Sequence, residues 1–260
     1  MRLFDSHCHL DDRAFDKDLD DVIFRMHEAG VASAMTIGTT LDRCAKGVAI
    51  AESVDGVYAA VGIHPHDAKS CNEDVLKMLM DFAKNSNVHA WGEIGLDFNR
   101  MFSPRDVQEK WLIRQLEISD ALNLPAIFHE RDSNGRLIDI LKAHFTSGRA
   151  GVIHCFSGSE DELEQYLDMG LYIGITGIVT IKGRGADLRK MAPSIPEDRI
   201  LIETDAPYLT PTPERNHTQR NEPAFVRSVL LKLAEVRRQD PALLSETLWE
   251  NTCRIYGVEP

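Results

Sequence analysis

The sequence predicts an α/β fold, a (β/α)8 TIM barrel. Short segments rich in apolar and β-branched residues recur eight times along the chain, and each is followed by a longer segment with helical periodicity. Strands that alternate with helices in this uniform order are typical of parallel sheets, and eight of them favour a closed barrel over an open sheet. Because no linker, charge block or low-complexity segment divides the chain, we expect one domain over residues 1–260.

The predicted elements follow one another in simple alternation. The predicted strands cover residues 3–8, 33–37, 57–63, 88–94, 126–129, 151–155, 172–175 and 200–204. The predicted helices cover residues 18–29, 41–52, 73–85, 103–122, 134–145, 159–169, 186–191 and 222–238. Gly30 fits a C-terminal cap and Pro104 fits the first turn of a helix. Residues 204–221 are irregular and contain several prolines, which predicts a loop after the eighth strand.

Composition and charge exclude several classes of protein. The chain has 29 Lys and Arg against 41 Asp and Glu, a formal net charge of −12, which repels polyanions and disfavours a protein that coats duplexes. Hydrophobic residues make up 43% of the sequence, as in soluble globular proteins. Five widely spaced cysteines without a CxxC pair indicate reduced thiols. No segment is apolar enough for a membrane helix or a signal peptide, so we expect a cytoplasmic protein without membrane association.

A pair of histidines ends the first predicted strand. His7 and His9 are two residues apart, so both side chains leave the same face of the strand while Cys8 points to the other. Two imidazoles on one face are able to bind a common metal ion, although two polar residues at a strand end give the same pattern. The pair alone leaves both interpretations open.

Further residues of metal-binding type lie where other predicted strands end. Glu93 is near the end of the fourth strand, and Asp205 follows the eighth. His129 and His154 lie at the ends of the fifth and sixth strands. The carboxyl ends of barrel strands meet at one mouth, where barrel enzymes have their active sites. We therefore predict a hydrolytic centre for one or two metal ions, formed by His7, His9, Glu93, His129, His154 and Asp205.

The two acidic residues of this set differ in their expected chemistry. Glu93 has two carboxylate oxygens that are able to bridge two cations, whereas a neutral imidazole cannot bridge them. Gly92 and Gly95 beside it are expected to let the backbone approach a ligand closely. Asp205 is placed to bind metal, to accept a proton from water, or to do both. The alternatives are a turn residue for Glu93 and a capping or turn-forming carboxylate for Asp205.

Other side chains at the predicted mouth suit an anionic substrate. His64 and His66 follow the third strand, and we favour contact with a substrate oxygen over metal ligation for both. Guanidinium groups bind phosphate through paired hydrogen bonds, so basic loop residues are compatible with a phosphoester drawn into a pocket rather than a duplex on a broad positive face. About half of them are expected to be ordinary solvated charges. These basic residues are Arg131, Lys182, Arg184, Arg215 and Arg220. Asn221 precedes the last predicted helix and either caps it or positions a ligand.

Six motifs spread over nearly the whole chain resemble those of the TatD family of metal-dependent deoxyribonucleases. They are FDSHCHL at residues 4–10, GIHPH at 62–66, GEIGLD at 92–97, HCFSG at 154–158, ETDAPYL at 203–209 and RNEP at 220–223. Six motifs in the right order are far more specific than one. The sequence departs from the family where Ser133 replaces an alanine, which leaves the metal ligands unchanged, and Glu130 adds a charge near the mouth.

The resemblance implies an amidohydrolase-like TIM barrel with two divalent metal ions. The implied ligands are His7, His9, Glu93 and Asp205 for one ion, and Glu93, His129 and His154 for the other. It also implies Mg²⁺-dependent cleavage of single-stranded DNA or RNA from the 3′ end, and a link to DNA repair. Because imidazole ligands suit Mn²⁺ or Zn²⁺ better than Mg²⁺, ligand chemistry keeps those two ions as alternatives.

The expected reaction is hydrolysis of a phosphodiester by metal-activated water, with Asp205 and Glu93 as the catalytic residues. The expected substrate contacts come from His64, His66, Arg131, Arg220 and Asn221. Two rival functions use the same metal site. One is hydrolysis of an ester or amide, such as a D-aminoacyl ester of transfer RNA, and the other is a catalytically silent metal-binding module. No motif indicates a protein partner.

Overall fold

Eight parallel strands, each hydrogen-bonded to the next in chain order, form the centre of the molecule in a computed structural model that describes residues 1–259. The strands are β1 Leu3–Cys8, β2 Val31–Ile37, β3 Val57–Val61, β4 Val88–Asp97, β5 Ala126–Arg131, β6 Gly151–Ile153, β7 Tyr172–Ile175 and β8 Ile200–Ile202. Backbone hydrogen bonds from Asp205 N to His7 O (2.9 Å) and from His9 N to Ala206 O (2.7 Å) join the end of β1 to the segment after β8. The sheet therefore closes, and the predicted barrel is confirmed.

Nine α-helices surround or close the barrel within the described residues. They are α1 Leu19–Glu28, α2 Leu41–Ser53, α3 Glu73–Phe82, α4 Arg105–Leu122, α5 Arg136–His144, α6 Glu160–Asp168, α7 Ala186–Met191, α8 Val226–Arg237 and α9 Pro241–Tyr256. The predicted helix at 222–238 begins only at Val226, because Pro223–Phe225 forms a 3-10 turn first. The predicted helix at 73–85 ends at Phe82.

The last helix, α9, has no counterpart among the predicted elements. Its local signals are clear in retrospect, since the Asp240 side chain accepts hydrogen bonds from Ala242 N and Leu243 N, and Gly257 ends the helix at a positive φ of 63°. Trp249 and Tyr256 on this helix pack against Phe4 of β1, with ring centroids 5.7 and 6.2 Å apart. The helix therefore continues the core that fills the barrel.

The core has two parts, one between strands and helices and one inside the barrel. The interior is filled by side chains from successive strands together with α9, among them Phe4, Met35, Ala60, Ala90, Ile127, Val152 and Leu201. Such a packed interior makes the barrel a solid support rather than a pore. The polar side chains that the strands carry at their carboxyl ends lie above this filling.

Strand ends differ from the predicted ones in a direction that matters for the site. β4 continues to Asp97 and β5 to Arg131, beyond the predicted ends at 94 and 129. β6 and β8 end at Ile153 and Ile202, before the predicted ends at 155 and 204. The mouth is therefore lined partly by extended strand and partly by the loops that begin just before the chemically important residues.

Candidate metal centre

The carboxyl ends of the strands surround a cavity of about 760 Å³. Its lining includes eight residues predicted from the sequence to act there, namely His9, His64, His66, Glu93, His129, Arg131, His154 and Asp205. His7 lies beneath it, 1% exposed. Three groups have ligand atoms that all lie within 4.8 Å of one another: His7, His9 and Glu93; His7, His154 and Asp205; and His64, His66 and His129. The six predicted metal ligands thus meet in one place.

The two histidines at the end of β1 both direct Nε2 towards carboxylates of the cluster. His9 donates a hydrogen bond from Nδ1 to Ile37 O at 2.8 Å, and its Nε2 faces Asp205 Oδ1, 3.3 Å away. His7 is buried, and neither of its ring nitrogens is hydrogen-bonded to a described residue. Its Nε2 lies 3.4 Å from Glu93 Oε2. A buried imidazole without a partner is costly unless a ligand completes it, as a cation would here.

Glu93 lies between two groups of imidazoles. Oε1 is 2.7 Å from His129 Nδ1 and 3.9 Å from His154 Nε2, while Oε2 is on the side of His7. Burial raises the pKa of Glu93, but the imidazoles of His64 and His154 outweigh burial and hold the pKa well below its usual value. Glu93 is therefore an ionised carboxylate whose two oxygens face different ligand sets, the arrangement that bridging two cations requires.

The glycines beside Glu93 bring β4 close to the neighbouring strand; their approach to a ligand stays a prediction. A Cβ on Gly92 would lie 2.6 Å from Ile127 Cβ, and Gly95 has a φ of +145° with room for no side chain against His129 O. Both contacts are with β5. The glycines bring the two strands close together, and this proximity places Glu93 beside His129.

His154 is held from behind by an acidic residue that the sequence analysis did not single out. Its Nδ1 lies 2.8 Å from Glu203 Oε1, and the same oxygen accepts a hydrogen bond from Cys155 N at 2.6 Å. Burial lowers the pKa of His154, but the carboxylates of Glu203 and Glu93 outweigh burial and raise the pKa to about 10. A carboxylate behind an imidazole fixes its tautomer and its orientation, so Glu203 directs Nε2 of His154 towards the cluster.

Asp205 occupies a backbone conformation that is uncommon for residues other than glycine, with a φ of 58°. The turn is fixed by Asp5, which accepts hydrogen bonds from Thr204 N at 2.8 Å and from the Thr204 hydroxyl. Burial raises the pKa of Asp205, but the hydrogen bond to His9 and the charge of His154 outweigh burial and lower the pKa. The structure thus keeps an ionised carboxylate at the edge of the cluster, where it is able to bind a cation or accept a proton.

On the opposite side of the cluster, His64 is oriented as a hydrogen-bond donor. Its Nδ1 accepts a hydrogen bond from His66 N at 3.0 Å, so Nε2 carries the proton of the neutral ring. Burial lowers the pKa of His64 to about 4. Nε2 lies 3.5 Å from Glu93 Oε1 and faces the cavity. This geometry favours donation to an oxygen over metal ligation, the alternative that the sequence left open.

Asp97 is the second acidic residue that the sequence analysis did not assign a role. Its Oδ2 lies 2.6 Å from His66 Nε2 and 3.3 Å from His129 Nε2, and the residue is fully buried. Burial lowers the pKa of His129, but hydrogen bonds to Asp97 and Glu93 outweigh it and raise the pKa to about 9. With Nε2 turned to Asp97, His129 directs Nδ1 towards Glu93 and the centre of the cluster.

These donors fit divalent cations. Neutral imidazole nitrogens and carboxylate oxygens are the ligands of catalytic zinc and manganese sites, and Glu93, whose two oxygens face different imidazoles, suits a pair of ions. The cluster is buried, yet His7 has no hydrogen-bond partner among the described residues. In the absence of a cation, charged imidazoles and carboxylates neutralise one another, as the raised pKa of His154 and the lowered pKa of Glu93 indicate.

Two predicted substrate contacts, Arg220 and Asn221, lie outside the described lining of the cavity and are paired with other residues. Arg220 donates to both carboxylate oxygens of Asp18, at 2.7 and 2.6 Å, and to Glu222 at 2.9 Å. Asn221 is fully buried and donates to Thr204 O and Tyr208 O, at 2.8 and 2.6 Å. Neither residue is among the described residues that line the cavity. Both hold the segment after β8 in place.

The basic residues of the mouth are also a different set from the predicted one. Arg131 and Arg184 line the cavity, together with Arg100 from the loop after β4. None of the three forms an ion pair within residues 1–259, and Lys182 and Arg215 do not belong to the described lining. Arg43 also lines the cavity, but it is neutralised by Asp11 and Asp12. Separately, no helix among the described residues is long and apolar enough to cross a membrane.

Known proteins are similar to this chain in both sequence and fold. Residues 4–257 match the family described as TatD related DNase. A protein of Cronobacter sakazakii named 3′-5′ ssDNA/RNA exonuclease TatD is 39% identical over 256 residues, covering 98% of this chain and 97% of the relative. A protein of the same name from Citrobacter koseri is 37% identical over 259 residues, covering 98% and 99%.

Solved structures give the same result. The TatD homologue YJJV of Escherichia coli K12 superposes with a TM-score of 0.90 at 30% identity, covering 99% of each chain. A TatD family hydrolase of Entamoeba histolytica has a TM-score of 0.89 at 23% identity, covering 98% of each chain, and supports the fold alone. The match over residues 4–257 and the 39% identity over nearly the full length show that this chain belongs to the TatD-related DNase family.

Proposed function

We propose that the protein is a metal-dependent nuclease that removes nucleotides from the 3′ end of single-stranded DNA, and of RNA, as one domain over residues 1–260. The observation that carries this proposal is the ionised Glu93 between two sets of imidazoles, within a cavity whose unpaired cations are arginines. Relatives at 37–39% identity bear the name 3′-5′ ssDNA/RNA exonuclease, which supports the substrate and the direction. A role in DNA repair stays a prediction.

The proposed ligand sets combine the distances described above. They are His7, His9, Glu93 and Asp205 for one ion, and Glu93, His129 and His154 for the other. Mg²⁺ is the proposed ion, and the imidazole-rich set also suits Mn²⁺ or Zn²⁺. When bound, such ions lower the pKa of water and neutralise charge on a phosphodiester.

The side chains at the mouth accept the proton and bind the phosphate in this proposal. Asp205, ionised and at the edge of the cluster, accepts the proton that leaves the attacking water. His64 donates from Nε2 to an oxygen of the scissile phosphate, and its low pKa keeps it a neutral donor throughout the neutral range. His66 is turned by Asp97 and faces the same space. Arg131 binds phosphate through its guanidinium group.

The charge distribution favours a strand that enters the cavity over a duplex lying on the surface. The chain carries a formal net charge of −12, so its long-range field repels nucleic acid. Arg100, Arg131 and Arg184 stand at the cavity without ion partners among the described residues. Attraction is therefore local, and it is strongest for a flexible chain that brings a few phosphates within reach of these groups.

The decisive experiment is cleavage of single-stranded DNA labelled at its 5′ end. The metal-stripped native protein and the variants Glu93→Gln and Glu109→Gln are each assayed after addition of Mg²⁺, Mn²⁺ or Zn²⁺. We expect a ladder that shortens from the 3′ end only with metal, and a rate about 10³-fold lower in Glu93→Gln because several kcal/mol of transition-state stabilisation depend on the bound cations. Glu109 pairs with Arg136 on the surface, so its variant controls for loss of a carboxylate alone.

Intact DNA under every metal would contradict the proposal. The same protein would then be tested on ester and amide substrates, including D-aminoacyl transfer RNA, which the same centre suits. Equal rates for Glu93→Gln and the native protein would remove Glu93 from the mechanism, whatever the substrate.

A further inference from the structure

Two large aromatic side chains at the mouth are exposed although they line the cavity. Phe102 is 56% exposed and Tyr208 is 47% exposed. Phe102 follows β4 and Tyr208 follows β8, and strands that are four apart in a ring of eight stand on opposite sides of the mouth. Neither ring is needed to fill the core, because each leaves about half of its surface to solvent. Exposed aromatic rings inside a polar cavity need another explanation.

The loop that carries Phe102 is anchored at both ends. Asp97 Oδ1 accepts a hydrogen bond from Arg100 N at 2.7 Å at the start of the loop. The Ser103 hydroxyl donates to His66 O at 2.9 Å at its end, and Ser103 is fully buried. The Phe102 ring also packs edge-on against the imidazole of His66, with centroids 4.8 Å apart. An apolar side chain is thus held out into the cavity on a fixed backbone.

Tyr208 is fixed in a different way. Its hydroxyl donates a hydrogen bond to Asp12 Oδ2 at 2.9 Å, and its backbone carbonyl accepts one from Asn221 Nδ2 at 2.6 Å. The ring stands edge-on to His9, with centroids 5.8 Å apart. Both aromatic rings therefore touch an imidazole of the metal centre, Phe102 on the side of His66 and Tyr208 on the side of His9.

Two arginine side chains line the same cavity as these rings. Arg100 lies two residues before Phe102 and lines the same cavity, as does Arg131 at the end of the neighbouring strand β5. Both lack an ion partner within the described residues. Aromatic faces beside guanidinium groups are the recurring way in which proteins bind single-stranded nucleic acid, since every base has a face to stack and every nucleotide a phosphate.

We propose that Phe102 and Tyr208 are base-stacking residues for the two nucleotides that flank the scissile phosphate, one on each side of the metal centre. The inference rests on the proposed nuclease function and adds the residues that select single strands. Two neighbouring bases that stack on opposite walls of the mouth are drawn out of contact with each other. A paired strand cannot adopt this arrangement without breaking its own stacking and pairing, so the two rings discriminate against duplex ends.

The test is a double-mutant cycle that removes an aromatic ring from the protein and a base from the substrate. Single-stranded oligonucleotides, intact or with one abasic tetrahydrofuran residue at each of the last four positions, are cleaved by the native protein and by Phe102→Ala and Tyr208→Leu. On the intact strand we expect KM to rise about 5- to 100-fold in each variant, with kcat less affected. An abasic residue at the position that Phe102 stacks raises KM in the native protein by a similar factor and adds less than about twofold in Phe102→Ala. We expect the same pattern of KM values for Tyr208→Leu and an abasic residue at a different position.

Matched variants separate stacking from loss of an apolar side chain. Phe24 on α1 is 64% exposed and does not belong to the described cavity lining, so Phe24→Ala is the control and should keep the native KM. Phe102→Trp and Tyr208→Phe retain a ring and should cleave with a KM within about threefold of native. Circular dichroism establishes that each variant is folded.

Three results would overturn the proposal. If Phe102→Ala and Tyr208→Leu both keep KM within twofold of native on intact DNA, the rings do not bind bases, and the proposed nuclease function is unaffected. If the effects of Phe102→Ala and of the abasic residue multiply at every position, Phe102 acts elsewhere. If the native protein with metal cleaves no intact strand at all, the proposed function fails and the stacking residues fail with it.

Discussion

The two sides of the metal centre are built differently. On the side of β1, β6 and β8, His7 and His154 are almost completely buried, with stacked rings whose centroids are 3.4 Å apart. On the side of β3 to β5, the side chains of His66 and His129 are 28% and 18% exposed and share one acidic partner, Asp97. The first side is closed around the cluster, while the second is open to the cavity. The closed side suits a cation, while the open side leaves room for substrate beside His129, a proposed ligand of the second ion.

On each side of the cluster a carboxylate contacts an imidazole, and the two carboxylates differ in their other contacts. Glu203 holds His154 and also accepts a hydrogen bond from Cys155 N, all within the buried side. Asp97 holds His129 and His66, and its other oxygen accepts a hydrogen bond from Arg100 N. Asp97 therefore joins the cluster to the loop that carries Arg100, whereas the hydrogen bonds of Glu203, from Cys155 N and the Ser6 hydroxyl, stay on the buried side.

The largest expected difference between the two sides comes from removing these two carboxylates separately. Glu203→Gln and Asp97→Asn should each lower metal affinity or turnover by about 10- to 100-fold, because an imidazole that loses its carboxylate loses its orientation. The two variants should differ in KM. Asp97→Asn raises it, since His66 loses the carboxylate oxygen that turns it towards the cavity, while Glu203→Gln leaves it close to native. Metal titration and steady-state kinetics on single-stranded DNA measure both quantities.

Equal KM values in the two variants would remove the difference between the two sides. Glu130→Gln is a suitable control, because Glu130 lines the cavity but bonds to Ser133 and to none of the histidines. Its turnover should stay within about threefold of native, whereas a drop as large as that of Asp97→Asn would show that any lost carboxylate at the mouth has this effect.

A smaller effect concerns protons and metal binding. The pKa values of about 10 for His154 and about 9 for His129 mean that both rings are protonated at neutral pH without metal. Because only a neutral imidazole binds a cation, metal binding at pH 7 should release about two protons, and affinity should rise with pH until these pKa values are passed. Calorimetry in buffers of different ionisation enthalpy counts the protons. Binding at pH 7 without proton release would show that His154 and His129 are neutral or are not ligands.

Part of the site could be predicted from sequence because it depends on the two-residue period of strands. His7 and His9 share a face for this reason. Glu203 was outside this argument, because β8 ends at Ile202 and Asp205 has a φ of 58°, so the strand period does not relate the two residues. Asp97 was also outside it, because β4 continues three residues beyond its predicted end.

The remaining differences come from contacts between distant parts of the chain. Arg220 is bound by Asp18, 202 residues away, and no local pattern shows that its charge is already paired. The anchoring of Phe102 between Asp97 and Ser103 has the same origin, since it depends on how β3, β4 and their loops meet. Helix α9 differs from these cases. Its N-terminal cap at Asp240 and its helical spacing were both visible in the sequence.

The smallest effect expected separates an arginine of the open side from one outside the cavity. Arg131→Ala should raise KM for single-stranded DNA by about 3- to 10-fold, because a guanidinium group that faces the cavity loses one phosphate contact. Arg220→Ala should leave KM within twofold of native and lower the melting temperature by about 2–4 °C, since Arg220 joins α1 to the segment after β8. Kinetics and thermal denaturation on the same preparations distinguish the two. If Arg220→Ala raises KM as much as Arg131→Ala at unchanged stability, its ion pair with Asp18 opens when substrate binds, and the cavity in solution extends beyond the one described.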